Sequence, residues 1–308
     1  MGNGILKEFF KRNGTSMGWF LIIAVGFWVV VLIILPQISM LDFSFRNQLP
    51  PPEMGGPKDV YTLRNYEYLI FGADGNPDGY NKTDLAVFGK TLLAAVFVTI
   101  LDLVLCYPIA YYLGQSKGGG MARIFILFLI IPYWINEILR AFAFRIIFGD
   151  SGVINEFMMF MGLIDNPIDF VRQNIALYAG LGYAYILLMI FPMYNVIESL
   201  DRNQIEAARD MGASWVKIHR RIVIPYAKPG ISSGCTMVFM LTAGALAAPQ
   251  ILGGPSSLWF TQIIYQWFNQ GGNWPQGSAF AVVLLTTSIF IVLAVMRLFK
   301  VNMGDIGK

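Results

Sequence analysis

Three ionisable residues fall near the middle of apolar stretches of this sequence, where a charge is costly and usually serves a purpose. Asp102 lies within 85–113, and Glu137 and Arg140 lie three positions apart within 122–148. On a helix, positions i and i+3 share a face. Two readings stay open. In one, the three side chains line a water-filled route for a charged solute, with Trp134, Tyr133, Trp267 and Phe268 offering rings for cation–π contact. In the other, Glu137 and Arg140 neutralise each other or pair with Asp102 and hold helices together. A lining of both signs would suit a zwitterion as well as a cation.

Other candidate chemistry is sparse. Cys106 and Cys235 sit in apolar surroundings and make no C-x-x-C pair, so both read as small hydrophobes. The single histidine, His219, lies in a basic segment, and one histidine without a cysteine cluster does not make a structural zinc site. Gly118-Gly119-Gly120 lacks the lysine and the preceding strand of a phosphate-binding loop. No catalytic residue, metal or cofactor is expected. A membrane enzyme would need a catalytic cluster near the interface, and none stands out.

The elements that must position these residues are membrane spans. Of 308 residues, 56% are hydrophobic and 13% charged, too few charges to clothe a soluble domain of this size. A net charge of +3 is too small to suggest nucleic acid. Crossing the hydrocarbon core takes about 20 apolar residues per helix. Six stretches qualify, at 17–41, 85–113, 122–148, 173–198, 229–252 and 277–299. The expected fold class is an all-α membrane protein of about six transmembrane helices. The first stretch is too long for a signal-peptide core and no A-x-A site follows it, so it is expected to be retained.

Basic residues set the orientation. They cluster at the N-terminus (Lys7, Lys11, Arg12), in the second loop (Lys117, Arg123), in the fourth loop (Arg202 to Lys228) and at the C-terminal end (Arg297, Lys300, Lys308). All fall on one side of a six-span chain. Asp150, Glu156, Asp165 and Asp169 fall on the other. Both termini, 1–16 and 300–308, are expected in the cytoplasm, flanking a membrane domain at 17–299. The outer loop 42–84 is rich in Pro, Gly and Asn and reads as extended and hydrated, with a short amphipathic piece at 61–71. Trp19, Trp259 and Trp274 read as interfacial anchors, and Pro108, Pro132 and Pro192 as kinks.

The fourth loop is the most informative segment. From Ser199 it reads SLDRNQIEAARDMGASWVKIHRRIVIPYAKPG. Asp201 with Gln204 fits a capping box, and Ile205, Ala208 and Met211 recur on one face. Gly212 suits a helix end that needs positive φ. Ser214 caps a second short helix with Trp215, Ile218 and Ile222 on its apolar face. Pro225 is expected to stop that helix, and Pro229 to sit in the first turn of the next span. Physical chemistry alone leaves a second option, an interfacial helix held to anionic lipid by Arg220 and Arg221.

This segment resembles the EAA motif of ABC importer permeases. Glu206-Ala207-Ala208, then Gly212, then Ile222-Val223-Ile224-Pro225 match its spacing, and Ile224 in place of leucine is the one departure. PYWINEILRAFAFRIIFGDSGVINEFMMFMGLID at 132–165 and APQILGGPSSLWFTQIIYQWF at 248–268 are similar to the polyamine-type branch, specifically to the first permease of a pair. Members often carry an acid after the glycine matching Gly244, where this chain has Ala245.

The resemblance implies a type I ABC importer permease in a bacterial inner membrane. It implies an ABC ATPase dimer, a second permease and a soluble substrate-binding protein as partners, besides the bilayer itself. Residues 201–222 would dock on the ATPase, with Glu206 meeting a polar group there and Gly212 setting the bend. An ion-coupled carrier, the competing class, would need ion sites in broken spans and no docking helices.

Overall fold

The computed structural model describes residues 10–12, 14–53, 55–73, 79–116 and 120–301, the side chains of 51 and 121–123 apart. The charges assigned to Lys7, Lys117, Arg123 and Lys308 lie outside what is described. Among the described residues the regular structure is helical, save one antiparallel bridge between Arg46 and Tyr61.

The long helices are α1 (Thr15–Ser44), α3 (Lys82–Gln115), α7 (Ile175–Glu198), α10 (Ile224–Ala243) and α13 (Trp274–Phe299). The shorter ones are α2 (Arg64–Phe71), α4 (Gly120–Ile130), α5 (Glu137–Ile147), α6 (Val153–Phe160), α8 (Arg202–Asp210), α9 (Trp215–Ile218), α11 (Ala247–Leu252) and α12 (Phe260–Asn269).

Among the described residues, four single helices, α1, α3, α7 and α13, are long and apolar enough to cross a membrane. The third expected span is not one rod. Residues 124–134 and 137–147 are two helices bent by 99°. Pro132 tightens the chain into a 3₁₀ turn at Ile131–Trp134, and Asn136 starts a fresh helix by accepting the Ile138 N–H at 2.8 Å. The fifth expected span ends at Ala243 rather than 252, because the chain leaves the helix at Gly244 and restarts at Ala247. The count of six is therefore approximate, while the all-helical membrane architecture stands.

Pro225 does not stop the second short helix. Residues His219–Val223 form a π turn, and Ile224 N–H donates to His219 O, five residues back. The wider turn moves the preceding carbonyls away from the Pro225 ring, which would collide with them in an α-helix. The chain then runs unbroken into α10, leaving Pro229 inside a helix rather than at its start. The same device appears in α1, where Leu35 N–H donates to Val30 O just before Pro36.

The chain forms two compact units, residues 1–80 with 266–283 and residues 81–265 with 284–308. In the first, α1 exposes Trp19, Phe20, Ile23 and Phe27, as a lipid-facing helix must. The loop after it is pinned more tightly than its composition suggests. Arg46 forks between Asp42 (2.6 Å) and Asp59 (2.7 Å), and Tyr61 donates to Asp42 at 2.8 Å. That bond to the Asp42 carboxylate raises the Tyr61 phenol above its ordinary pKa. Asn65, buried on α2, donates to the carbonyls of Ser44 and Arg46 and accepts from Gln276.

In the second unit, α3, α7 and α10 make the core. α10 approaches α7 closely because Gly230 and Gly234 carry no side chain. A Cβ on Gly230 would lie 2.4 Å from Pro192 O, and one on Gly234 would lie 2.9 Å from Met189 Sδ. Small residues four apart are a recurrent means of close helix contact in membranes. Cys106 and Cys235 are buried free thiols in this core. Trp259 is 3% exposed and packs in the core too, so it is not the interfacial anchor expected.

Candidate functional site

Two arrangements carry the candidate chemistry. The first is the segment from Asp201 to Pro225. Asp201 opens α8 by accepting the Asn203 N–H at 3.0 Å, one position short of the capping-box geometry expected. At the other end Gly212 has φ 77°. Its N–H reaches Arg209 O at 2.8 Å, and Ala213 N–H reaches Ala208 O at 3.0 Å. This pair of bonds is a Schellman closure, which also brings the residue after the glycine against the helix. Ala208 and Ala213 pack in one apolar cluster with Leu200, Ile205, Ile218 and Val223. Thus the third residue of the Glu-Ala-Ala triplet and the glycine are parts of one turn. A larger residue at 208 would fill that closure, and a non-glycine at 212 would strain it.

Ser214 then caps α9 through the Lys217 N–H at 3.4 Å. The two helices bury Ile205, Ala208 and Ile218 and expose Glu206, Ala207, Met211, Trp215 and Val216. Of the remaining motif residues, Ile222 is half-buried against the cluster and Pro225 is exposed.

The segment is fastened to α3 at two places. Arg202 donates to Gln115 O, while Gln115 donates to Ile197 O at 3.1 Å. His219 is buried among Trp215, Tyr107 and Tyr111, with Tyr107 Oη and His219 Nδ1 2.7 Å apart. In the sequence His219 stands as one residue of a basic run. Its four-residue spacing from Trp215 was the available signal of a shared buried face.

The second arrangement holds the ionisable residues of the apolar stretches. Among the described residues, no ion pair joins Asp102, Glu137 and Arg140. Glu137 is the first residue of α5, where the positive end of the helix dipole favours a carboxylate. It accepts from Tyr185 at 3.4 Å. Arg140 lies over the rings of Tyr133 (4.9 Å) and Tyr183 (6.0 Å), and its buried Nε and Nη1 find no partner among the described residues. Tyr133 is held by its own bond to Ala184 O at 2.8 Å.

Asp102 makes no ion pair with these residues. It is 2% exposed, in the seam between α3 and α7 beside Gly182, and its Oδ2 has no described partner. Trp134 is 87% exposed and leaves the ring contact with Arg140 to the two tyrosines. No cluster of His, Cys, Asp and Glu able to hold a metal occurs among the described residues.

A family model described as binding-protein-dependent transport system inner membrane component matches residues 85–303. The spermidine/putrescine transport system permease protein PotB of Escherichia coli (strain K12) is 32% identical over 278 residues, 90% of this chain and 96% of that protein. PotB of Salmonella typhimurium (strain SL1344) is 31% identical over 300 residues, 96% of this chain and 99% of that one. Among solved structures, a bacterial ABC transporter that imports the acidic polysaccharide alginate matches with a TM-score of 0.72 at 15% identity, covering 96% of this chain and 98% of its own. At that identity the likeness speaks for the fold.

Proposed function

The chain belongs to the family of binding-protein-dependent transport system inner membrane components, and from that premise we propose that it works with a partner ATPase that docks on residues 201–222. It is a permease subunit, a transport component of a multi-pass inner-membrane system. A second permease completes the pathway, and a soluble binding protein delivers the solute. One observation carries the docking proposal. A helix pair closed rigidly at Gly212 buries one face on α3 and leaves Glu206, Ala207, Met211 and Val216 unpartnered on the other. A rigid body fixed to a span and open on its far side suits the passing of force from an ATP-driven dimer. Both termini then lie in the cytoplasm with this segment, as the basic loops require.

The solute is a polyamine or related small amine. Support comes from the permeases named above and from Glu137, a carboxylate beside Tyr185 with no cationic partner among the described residues. Arg140 and Trp134 complete the lining near it, and Asp102 backs the α3–α7 seam. One observation favours a second reading, in which the solute also carries an anionic group. The two buried guanidinium nitrogens of Arg140 lack acceptors.

The deciding experiment reconstitutes the chain with its ATPase, second permease and binding protein and follows ATP hydrolysis. Stimulation by binding protein loaded with spermidine or putrescine supports the first reading. Stimulation confined to betaines or amino acids supports the second. Cross-linking that finds no ATPase at residues 201–222, or labelling that places them outside the cell, overturns the docking proposal.

A further inference from the structure

We infer that His219 is a positioning residue, tied through Tyr107 to α3, that lets the docking segment pull on that helix as well as push it. The inference rests on the docking reading above.

Packed side chains transmit compression, because atoms in contact repel steeply when pressed together. They resist separation weakly, since each dispersion contact is small and short-ranged. A link that must work in both directions of a cycle needs directional bonds. Two such bonds join α3 to the docking segment. Arg202 holds the carbonyl of Gln115 at the very end of the helix. The other lies two turns deeper, where Tyr107 Oη and His219 Nδ1 are 2.7 Å apart.

Three rings flank the histidine, while its buried Nε2 has no hydrogen-bond partner among the described residues. Its ring lies 3.9 Å from the Trp215 ring and 4.4 Å from that of Tyr111, centroid to centroid. It is 4% exposed. Trp215 presents 62% of its surface outward on the docking face, so a partner pressing there bears directly on the His219 ring. Tyr107 and Tyr111 are one turn apart on α3, and Asp102 lies about 7.5 Å further along the same helix at 1.5 Å rise per residue. Motion received at Trp215 is therefore delivered to the α3–α7 seam through a chain of three rings and one hydrogen bond.

The test uses the complete reconstituted transporter, with spermidine-loaded binding protein as probe and the ratio of stimulated to basal ATP hydrolysis as readout. His219→Phe keeps an aromatic ring at the joint and removes the bond, and Tyr107→Phe removes it from the other side. His219→Asn keeps a polar atom near the Nδ1 position. Both Phe variants are expected to retain the ATPase in wild-type amounts on purification while the ratio falls at least threefold. His219→Asn is expected to recover most of it.

A wild-type ratio in both Phe variants overturns the inference and leaves the docking reading intact, since ring packing alone then suffices. Loss of ATPase from the variants also overturns it, because His219 then serves docking rather than transmission. Absence of ATPase from the wild-type complex overturns the docking reading itself, and this inference with it.

Discussion

Asp102 occupies the space that Gly182 leaves empty: a Cβ built on the glycine would stand 2.9 Å from Asp102 Oδ1. The carboxylate is thus wedged between α3 and α7, in a seam with almost no exposure. From sequence an acid in an apolar stretch admits both a pathway and a structural reading, and this one lies buried against Gly182. Glu137 and Arg140, on α5, are half-exposed.

Gly182→Ala should therefore destabilise the protein by about 1–3 kcal/mol, the range for overpacking a tight contact. Thermal melting in detergent measures it. Asp102→Ala in the same chain frees the space and should restore part of the loss, so the two substitutions are non-additive. Additive losses would mean that the two residues do not share the site.

Gly212→Ala tests the bend. Nothing lies within 4 Å of a Cβ at this position, so no clash is introduced. The cost comes from φ 77° alone, about 1–2 kcal/mol for a residue with a side chain. Expected outcomes are weaker ATPase retention and slower ATP-driven uptake. Gly212→Asn should be milder, since asparagine tolerates this conformation better.

Glu137→Gln should lower spermidine uptake about tenfold at limiting solute, the effect of losing a charge-assisted contact worth about 1.5 kcal/mol. Retention of the ATPase should not change, because the residue lies far from the docking segment in sequence and shares no described bond with it. Unaltered uptake would remove Glu137 from the pathway.

The pH dependence follows from His219. Burial lowers the pKa of its imidazole from the ordinary 6.5, because the charged form loses hydration among Tyr107, Tyr111 and Trp215. The charged groups near it in sequence, Lys217, Arg220 and Arg221, are exposed. The folded segment binds fewer protons than the unfolded one, so its stability rises with pH. That contribution is complete above pH 6.5 and is lost as pH falls through the depressed folded value. The protection factors of residues 214–223, that is, exchange corrected for the intrinsic slowing of amide exchange at lower pH, should fall on acidification in the wild type and lose this dependence in His219→Phe.

Arg46→Gln should loosen the outer loop. The guanidinium holds Asp42 and Asp59 together, and beside it Thr62 N–H donates to Phe45 O at 2.6 Å. Faster hydrogen exchange at Val60 to Thr62, with α10 unaffected, is the expected result.

The sequence by itself determined the helical membrane class, the capped starts at Asp201 and Ser214 and the bend at Gly212. Each depends on local composition or on a cap whose partners lie within a few residues, and such features are written in adjacent positions. The Glu-Ala-Ala spacing was legible for the same reason, since a Schellman closure joins residues 208 and 213 directly. Only the tertiary structure decided the rest. It broke the third span at Pro132 and Asn136, left Asp102 without an ion pair to Glu137 or Arg140, and joined His219 to Tyr107 across 112 positions. It also carried the chain past Pro225 on a π turn. Those outcomes depend on which helix lies against which, through glycines such as Gly182, Gly230 and Gly234 that allow close approach. Periodicity names the face of a helix that is buried, but the neighbour that buries it is set by packing among helices distant in the chain.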